Sequence, residues 1–155
     1  MDPIMISSLV SRVTRLGVVL EPNGDAGEAE GILNPAAVRV RNGTLLLYPR
    51  MVAAGNCSCI GVVEVNGSPE APVYQRLGMA LRPEASYEFR DLKDGHGCED
   101  PRVTFIPLLD TFVMAYTAFG AAGPRVALAL SPDGYVWQPA TDHTVAGRVR
   151  PHGNN

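Results

Sequence analysis

Two similar blocks of sequence lie 66 residues apart, and this internal repeat constrains the fold more than any other feature. Asn34-Pro35 opens the first block, and Asp100-Pro101 opens the second. The other matched pieces are residues 44–48 with 111–115, at an offset of 67, and residues 60–63 with 126–129, at an offset of 66. Self-similarity at a fixed spacing predicts stacked units of secondary structure, such as the blades of a β-propeller. Two sheets of one β-sandwich are the alternative that the pattern leaves open.

Short apolar runs separated by turn residues predict an all-β chain. The runs are rich in β-branched or aromatic residues, and turn sequences such as Asn42-Gly43 lie between them. The 16 Gly and 13 Pro residues also suit many turns better than long helices. The predicted strands are residues 16–20, 38–40, 44–48, 60–65, 103–106, 111–116, 125–130 and 135–137.

The repeat also predicts how the chain is organised. We expect one partial propeller over residues 1–155, with an N-terminal strand and loop in 1–30 and a first blade with its connection in 31–90. A second blade in 91–139 and an irregular tail in 140–155 complete it. A closed ring needs about 4–8 blades, so two blades predict a truncated propeller. Unpaired N–H and C=O groups at its open edges favour pairing with another chain, so we expect a homo-oligomer.

Charge and cysteine content exclude several classes of function. A net charge of −3 offers no electrostatic footprint for nucleic acid and no basic segment for a membrane surface. No apolar run approaches the roughly 18 residues of a membrane span, and no signal peptide is recognisable, so a cytoplasmic protein is expected. Three cysteines at Cys57, Cys59 and Cys98 are interpreted as small buried residues in a reducing compartment. The acidic residues and His96 fit no calcium loop, so we expect no metal.

The segment from Gly95 to Arg102 carries the densest functional signal. Its glycines allow unusual backbone geometry, and Pro101 fixes φ directly after an acidic pair. Glu99 and Asp100 are adjacent, so in an extended chain one can address a site while the other braces a neighbouring strand. A solvated turn is the plain alternative. The repeat places Asn34 at the point equivalent to Asp100, which predicts two polar side chains that converge on the propeller axis.

Several motifs together resemble a known family. They are Asn34-Pro-Ala-Ala, Leu46-Leu-Tyr-Pro-Arg50, Gly97-Cys-Glu-Asp-Pro-Arg102, Met114-Ala-Tyr-Thr-Ala118, Arg125-Val-Ala-Leu-Ala and Ser131-Pro-Asp-Gly with Trp137. This set resembles the signature of glycoside hydrolase family 130 over about two thirds of the chain, from residue 31 to 137. The resemblance implies the five-bladed β-propeller of β-mannoside phosphorylases and β-mannosidases. About two of those blades are present.

The resemblance also implies roles for four residues. Asp100 matches the general acid, which protonates the leaving glycosidic oxygen while inorganic phosphate, the co-substrate, attacks the opposite face of the mannose. Asn34 and Arg50 match positions that hold the mannosyl group. Arg125 matches an arginine for phosphate, and a surface residue paired with an acid is its alternative. Hydrolytic members need a second carboxylate to activate water, as inverting glycosidases usually do. No cofactor is implied, and the partners are a β-mannoside oligosaccharide and phosphate.

Two hypotheses of function follow, from different classes. The first is an inverting phosphorylase or hydrolase of β-mannosides with Asp100 as acid. The second is a truncated, non-catalytic propeller fragment that binds sugar weakly or only self-associates, since the family's later basic residues have no counterpart after Trp137. A propeller glycosidase with paired Asp and Glu is a third reading, for which no second catalytic carboxylate can be assigned.

Overall fold

The computed structural model describes residues 15–90 and 95–140, and in this part the chain is all-β. Its sheet has eight strands and does not close on itself. The strands are β1 (Gly31–Arg39), β2 (Leu45–Ala53), β3 (Cys57–Ser68), β4 (Ala71–Leu81), β5 (His96–Ile106), β6 (Thr111–Gly120), β7 (Gly123–Ser131) and β8 (Gln138–Pro139). Short 3₁₀ turns at Ala26–Glu28, Ser86–Glu88 and Pro107–Leu109 are the other regular elements described. Within these residues no helix is long or apolar enough to cross a membrane.

The repeat becomes two antiparallel units of four strands each. The first blade has the order β1-β2-β3-β4, and the second has the order β5-β6-β7-β8. A short parallel contact joins them, in which Cys57 pairs with His96 and Ser58 pairs with Gly97. The connection between β4 and β5 therefore returns the chain to the beginning of β3.

Gly97 is the residue that permits this junction between the blades. Its φ is 122°, and a Cβ atom built there would lie only 2.1 Å from the carbonyl oxygen of Ser58. Strands hydrogen-bonded side by side leave no room for a side chain in that direction. A glycine at this position is thus a requirement of the close backbone approach.

The hydrophobic core lies between the two blades and contains residues from both. The first blade contributes Leu46, Tyr48 and Ile60, and the second contributes Phe112 and Met114, all at most 1% exposed. In β6 the alternate residues from Phe112 to Ala118 point into this core, as expected for a sheet with one buried face.

One aromatic pair links the blades through a turn. The rings of Tyr48 and Trp137 meet edge to face with centroids 5.5 Å apart. The Tyr48 hydroxyl and the Trp137 indole N–H both donate to the carbonyl oxygen of Gly134, at 2.7 Å and 3.0 Å. The turn from Ser131 to Gly134 therefore satisfies the polar atoms of two buried aromatic side chains.

The structure differs from the sequence-based expectation at the N-terminal side. Residues 16–20, predicted as a strand, contain no strand, and Leu16 and Val18 are exposed. An apolar run forms a strand only where a neighbouring strand can pair with it, and none pairs with this segment among the described residues. The chain instead continues to the 3₁₀ turn Ala26–Glu28, where buried Glu28 forms an ion pair with Arg76 at 2.7 Å.

Further strands differ from the prediction, and β1 and β5 each begin seven residues earlier than predicted. β4 occupies part of a Pro- and Glu-rich stretch in which no strand was predicted, and it pairs with β3 along most of its length. Residues 135–137, predicted as a strand, lie outside any strand, and β8 begins one residue later. The predicted tail, apart from Ala140, lies outside the described residues, as do residues 1–14 and 91–94.

Candidate active site

Equivalent β-bulges in β1 and β5 form the centre of the candidate site. In β1, Asn34 and Pro35 lie opposite the single residue Pro49 of β2, because the register shifts between Leu33 and Ala36. In β5, two residues at 100 and 101 likewise lie opposite one residue of β6, where the register shifts between Glu99 and Arg102. A bulge bends the strand and changes the direction of a side chain. The sequence repeat therefore reproduces the same local geometry 66 residues later.

Asn34 and Asp100 occupy the same unusual backbone conformation. Their φ angles are 43° and 48°, in the left-handed region, although each residue precedes a proline, which disfavours helical angles. Asn and Asp tolerate the left-handed region better than other residues with a Cβ. Two such strained residues at equivalent bulges are typical of functional sites, where the surrounding structure holds an unfavourable conformation in place.

The two bulges bring an amide and a carboxylate together. Asn34 Nδ2 donates a hydrogen bond of 2.8 Å to Asp100 Oδ1. Among the described residues no group hydrogen-bonds to Asp100 Oδ2, and the side chain is 39% exposed. Asp100 thus presents one oxygen fixed by the protein and one that is open to a ligand.

Arg50, on β2, is the third member of the cluster. Its Nη1 lies 3.5 Å from Asp100 Oδ1, and its Nη2 lies 2.9 Å from Glu99 Oε1. The Nε atom donates to the hydroxyl of Ser58 at 3.0 Å, and Nη2 also reaches Asn56 Oδ1 at 3.4 Å. Arg50 therefore bridges both carboxylates of the acidic pair.

The two carboxylates of the acidic pair have different environments. Glu99 has a side chain only 12% exposed, whereas that of Asp100 is 39% exposed. Burial raises the pKa of Glu99 and the nearby Asp100 charge adds to this, while Arg50 and the Ser58 hydroxyl act in the opposite direction. Glu99 contacts Arg50 and Ser58 of the first blade, whereas the bulge at Asp100 leaves the carboxylate of that residue partly exposed.

Three of the four residues proposed from the sequence lie together, and one does not. Asn34, Arg50 and Asp100 form the cluster described above. Arg125 is exposed on β7, and its side chain forms no hydrogen bond or ion pair with the described residues. Its backbone pairs with Ala118, which in turn pairs with Cys98, so β6 lies between the strand of Arg125 and β5. The alternative interpretation was a surface arginine paired with an acidic residue. No acidic residue in the described part of the chain pairs with Arg125.

Sequence reasoning missed Ser58 and Asn56. Asn56 lies in the turn between β2 and β3 and Ser58 lies at the beginning of β3, and both contact the guanidinium of Arg50. Their relation to Arg50 becomes visible only once the hairpin register is known, since Ser58 pairs with Val52 rather than with Arg50 itself. A buried serine near a β-turn gives no distinct sequence signal.

The cysteines form no metal site with their neighbours. Cys57 Sγ lies 3.4 Å from His96 Nε2, but no group of three or more His, Cys, Asp or Glu side chains in residues 15–90 and 95–140 could hold a metal ion. Burial raises the pKa of Cys57, Cys59 and Cys98, which disfavours the thiolate form. These thiols are therefore suited to packing rather than to nucleophilic chemistry.

The arrangement is suited to proton transfer beside a polar ligand. An exposed carboxyl group with one free oxygen can donate a proton, while a neutral amide and a cationic guanidinium beside it can hydrogen-bond hydroxyl groups. Both of these holding groups are fixed by contacts within the protein.

A family model and several solved structures match this chain. Residues 7–147 match the model of glycoside hydrolase family 130, described as beta-1,4-mannooligosaccharide phosphorylase. Among curated protein sequences, none matches the chain. A glycosyl hydrolase from Bacteroides ovatus is 26% identical with a TM-score of 0.58, and the alignment covers 72% of this chain and 32% of that one.

Two further neighbours have the same fold. A protein of Bacteroides ovatus classed provisionally as a glycoside hydrolase is 30% identical, with a TM-score of 0.56 and coverage of 70% of this chain and 30% of that one. Another is described with the statement that the family of mannoside phosphorylases contains glycoside hydrolases that target β-1,2-mannosidic linkages in Candida mannan. It is 24% identical, with a TM-score of 0.54, and the alignment covers 70% of this chain and 31% of that one.

The neighbours define the architecture to which the two blades belong. They are five-bladed propellers, and the open sheet of this chain corresponds to part of such a ring. The chain spans about a third of the length of the solved structures it matches. The predicted propeller fold is confirmed, and the β-sandwich alternative is wrong.

Proposed function

The chain belongs to glycoside hydrolase family 130, and we propose that it supplies the acid, Asp100, for inverting phosphorolysis of a β-mannoside. Membership supports a mannoside phosphorylase or glycosidase function. The observation that carries the finer assignment is the exposed Asp100 carboxyl group, held through Oδ1 by Asn34 and Arg50 with Oδ2 free.

The reaction needs one proton and one nucleophile. A proton from Asp100 reaches the leaving glycosidic oxygen, in a phosphorylase by way of a sugar hydroxyl, as the bond from that oxygen to the anomeric carbon breaks. A phosphate oxygen attacks the opposite face and forms the new bond to the anomeric carbon. Inversion of a β-mannoside yields α-mannose 1-phosphate and the released sugar. Phosphate is already a nucleophile, so one protein carboxylate suffices.

The neighbouring side chains support this assignment through their chemistry. Asn34 offers an amide and Arg50 a guanidinium beside the acid, and both are suited to hydrogen-bonding the hydroxyls of a mannosyl group. Arg125 is the proposed phosphate contact, because its exposed guanidinium has no ion-pair partner among the described residues.

A direct test compares two aspartates that share a backbone conformation. Asp110 has a φ of 50°, like the 48° of Asp100, but it lies in an exposed ion pair with Arg41. With β-1,4-mannobiose and phosphate, we expect release of mannose 1-phosphate that Asp100→Asn lowers by about 10²–10⁴-fold. Asp110→Asn should leave the rate unchanged, because exposed ion pairs contribute little.

The controls separate phosphorolysis from hydrolysis. Omission of phosphate should stop the reaction, whereas free mannose without phosphate would indicate a hydrolase. Full activity in Asp100→Asn, or an equal loss in Asp110→Asn, would contradict the role of Asp100.

The second candidate function is binding without catalysis. It is favoured by the fact that this chain aligns with only 30–32% of the solved neighbours, so the matched part holds two blades of five. No turnover by the unchanged chain would contradict catalysis and leave this candidate. Isothermal titration with mannose and with phosphate then separates retained sugar binding from its absence.

A further inference from the structure

Three side chains of the protein accept hydrogen bonds from the guanidinium of Arg50. Ser58 accepts from Nε at 3.0 Å, Glu99 accepts from Nη2 at 2.9 Å, and Asn56 approaches Nη2 at 3.4 Å. Only Nη1 is directed to Asp100, at the longer distance of 3.5 Å. The planar fork of a guanidinium fixes the direction of its remaining donor once two nitrogens are bound.

The groups that hold Arg50 also hold each other. The hydroxyl of Ser58, which is fully buried, donates to Glu99 Oε1 at 3.3 Å while it accepts from Arg50. Glu99 is 9% exposed, and its charge is offset by Arg50. A buried carboxylate needs such a partner, so Glu99 and Arg50 constrain each other.

We propose that Glu99, with Ser58 behind it, is a positioning residue that fixes the Arg50 guanidinium so that Nη1 faces Asp100 and the sugar. This inference rests on the proposed function, in which Asp100 is the acid and Arg50 contacts the mannosyl group. Glu99 itself touches no substrate and acts through Arg50.

The kinetic test is a double-mutant cycle on kcat/KM for phosphorolysis of β-1,4-mannobiose. Glu99→Gln keeps the shape and removes the charge, and it should lower kcat/KM about 10–100-fold, since small misplacements near reacting groups have effects of that size. In an Arg50→Ala background the same change should have almost no effect, because the residue through which Glu99 acts is gone. An equal loss in both backgrounds would overturn the proposal.

The matched control is a second Glu–Arg ion pair with a buried glutamate, between the 3₁₀ turn Ala26–Glu28 and β4. Glu28 is 2% exposed and pairs with Arg76 at 2.7 Å, without contact to Arg50 or Asp100. Glu28→Gln should lower the thermal midpoint but leave kcat/KM within about twofold of the unchanged chain. A loss of kcat/KM equal to that of Glu99→Gln would show a merely structural effect and overturn the proposal.

A spectroscopic test needs no turnover and therefore separates this proposal from the proposed function. In ¹⁵N-labelled protein, the Nε–H signal of Arg50, assigned by its absence in Arg50→Lys, should exchange slowly with water. Glu28→Gln should leave it unchanged, whereas Ser58→Ala and Glu99→Gln should each accelerate its exchange. Slow exchange that persists in Glu99→Gln would overturn the positioning role, whether or not the chain is active.

Discussion

Asn34 and Asp100 both adopt left-handed backbone angles, with φ of 43° and 48°, although each precedes a proline. This conformation costs about 1–2 kcal/mol for a residue with a Cβ atom, and the surrounding strands must maintain it. This conformation brings the amide of Asn34 in one blade to 2.8 Å from the carboxylate of Asp100 in the other. At the residue scale, strain and the candidate site therefore coincide at equivalent positions of the repeat.

Two substitutions at Asn34 separate the strain from the hydrogen bond. Asn34→Ala and Asn34→Gly both remove the bond to Asp100, but only alanine keeps the steric penalty at φ 43°. We expect Asn34→Ala to lower the free energy of unfolding by about 1 kcal/mol more than Asn34→Gly, after allowing for the greater freedom of glycine in the unfolded chain. Urea unfolding measures both values. An equal or larger loss with glycine would show that the bulge relaxes when the bond is absent.

Part of the site could be predicted from the sequence at this scale. The spacing of Asn34-Pro35 and Asp100-Pro101 placed the two polar residues at equivalent positions, and the structure brings them into contact. The contacts of Arg50 with Ser58 and Asn56 could not be predicted, because they depend on the β2–β3 register and on the path of one long side chain. Periodicity indicates which face a residue occupies but not which neighbour it reaches.

At the scale of elements, the junction of β3 and β5 depends on a single glycine, and another glycine provides its control. Gly97 and Gly78 have almost the same φ, 122° and 121°, but nothing lies within 4 Å of a Cβ built at Gly78. Gly97→Ala adds a contact of 2.1 Å with the Ser58 carbonyl oxygen to the same backbone penalty. We expect it to lower the free energy of unfolding by about 1–3 kcal/mol more than Gly78→Ala, measured in urea. Equal losses would mean that β5 shifts away from β3 without cost.

Strands were predicted well where apolar and β-branched residues alternate between turns, as in β2, β3, β6 and β7. β4 was missed because Pro72, Arg76 and Gly78 interrupt its pattern, yet as the outer strand of its blade it needs only one hydrogen-bonded neighbour. Residues 16–20 show the reverse error, since their apolar character lacks a strand to pair with in the described part of the chain. In both cases the presence or absence of a neighbouring strand determined whether a strand formed. Local composition does not indicate such pairing.

At the scale of the whole molecule, the repeat correctly indicated two blades of a propeller, but two blades cannot close a ring of five. One face of the second blade packs against the first blade, and the opposite face, termed the second-blade outer face, does not. It is formed by Val113, Ala115, Val126, Leu128 and Leu130 of β6 and β7. The repeat equates these positions with the core-facing residues of the first blade, such as Leu46, Ile60 and Val62. The second-blade outer face therefore has the composition of a packing surface.

A surface of this kind predicts self-association of the chain, and paired substitutions identify the face responsible. Val126 on the second-blade outer face is 73% exposed, and Val73 on the outer strand β4 is 60% exposed. If copies associate through the second-blade outer face, Val126→Glu should raise the apparent dissociation constant at least about tenfold, because a buried unpaired carboxylate is costly. Val73→Glu should then have little effect.

Size-exclusion chromatography with light scattering over a concentration series measures both variants. The opposite order of effects would assign association to the free edge of β4, and a chain that stays monomeric at all concentrations would contradict self-association through either surface.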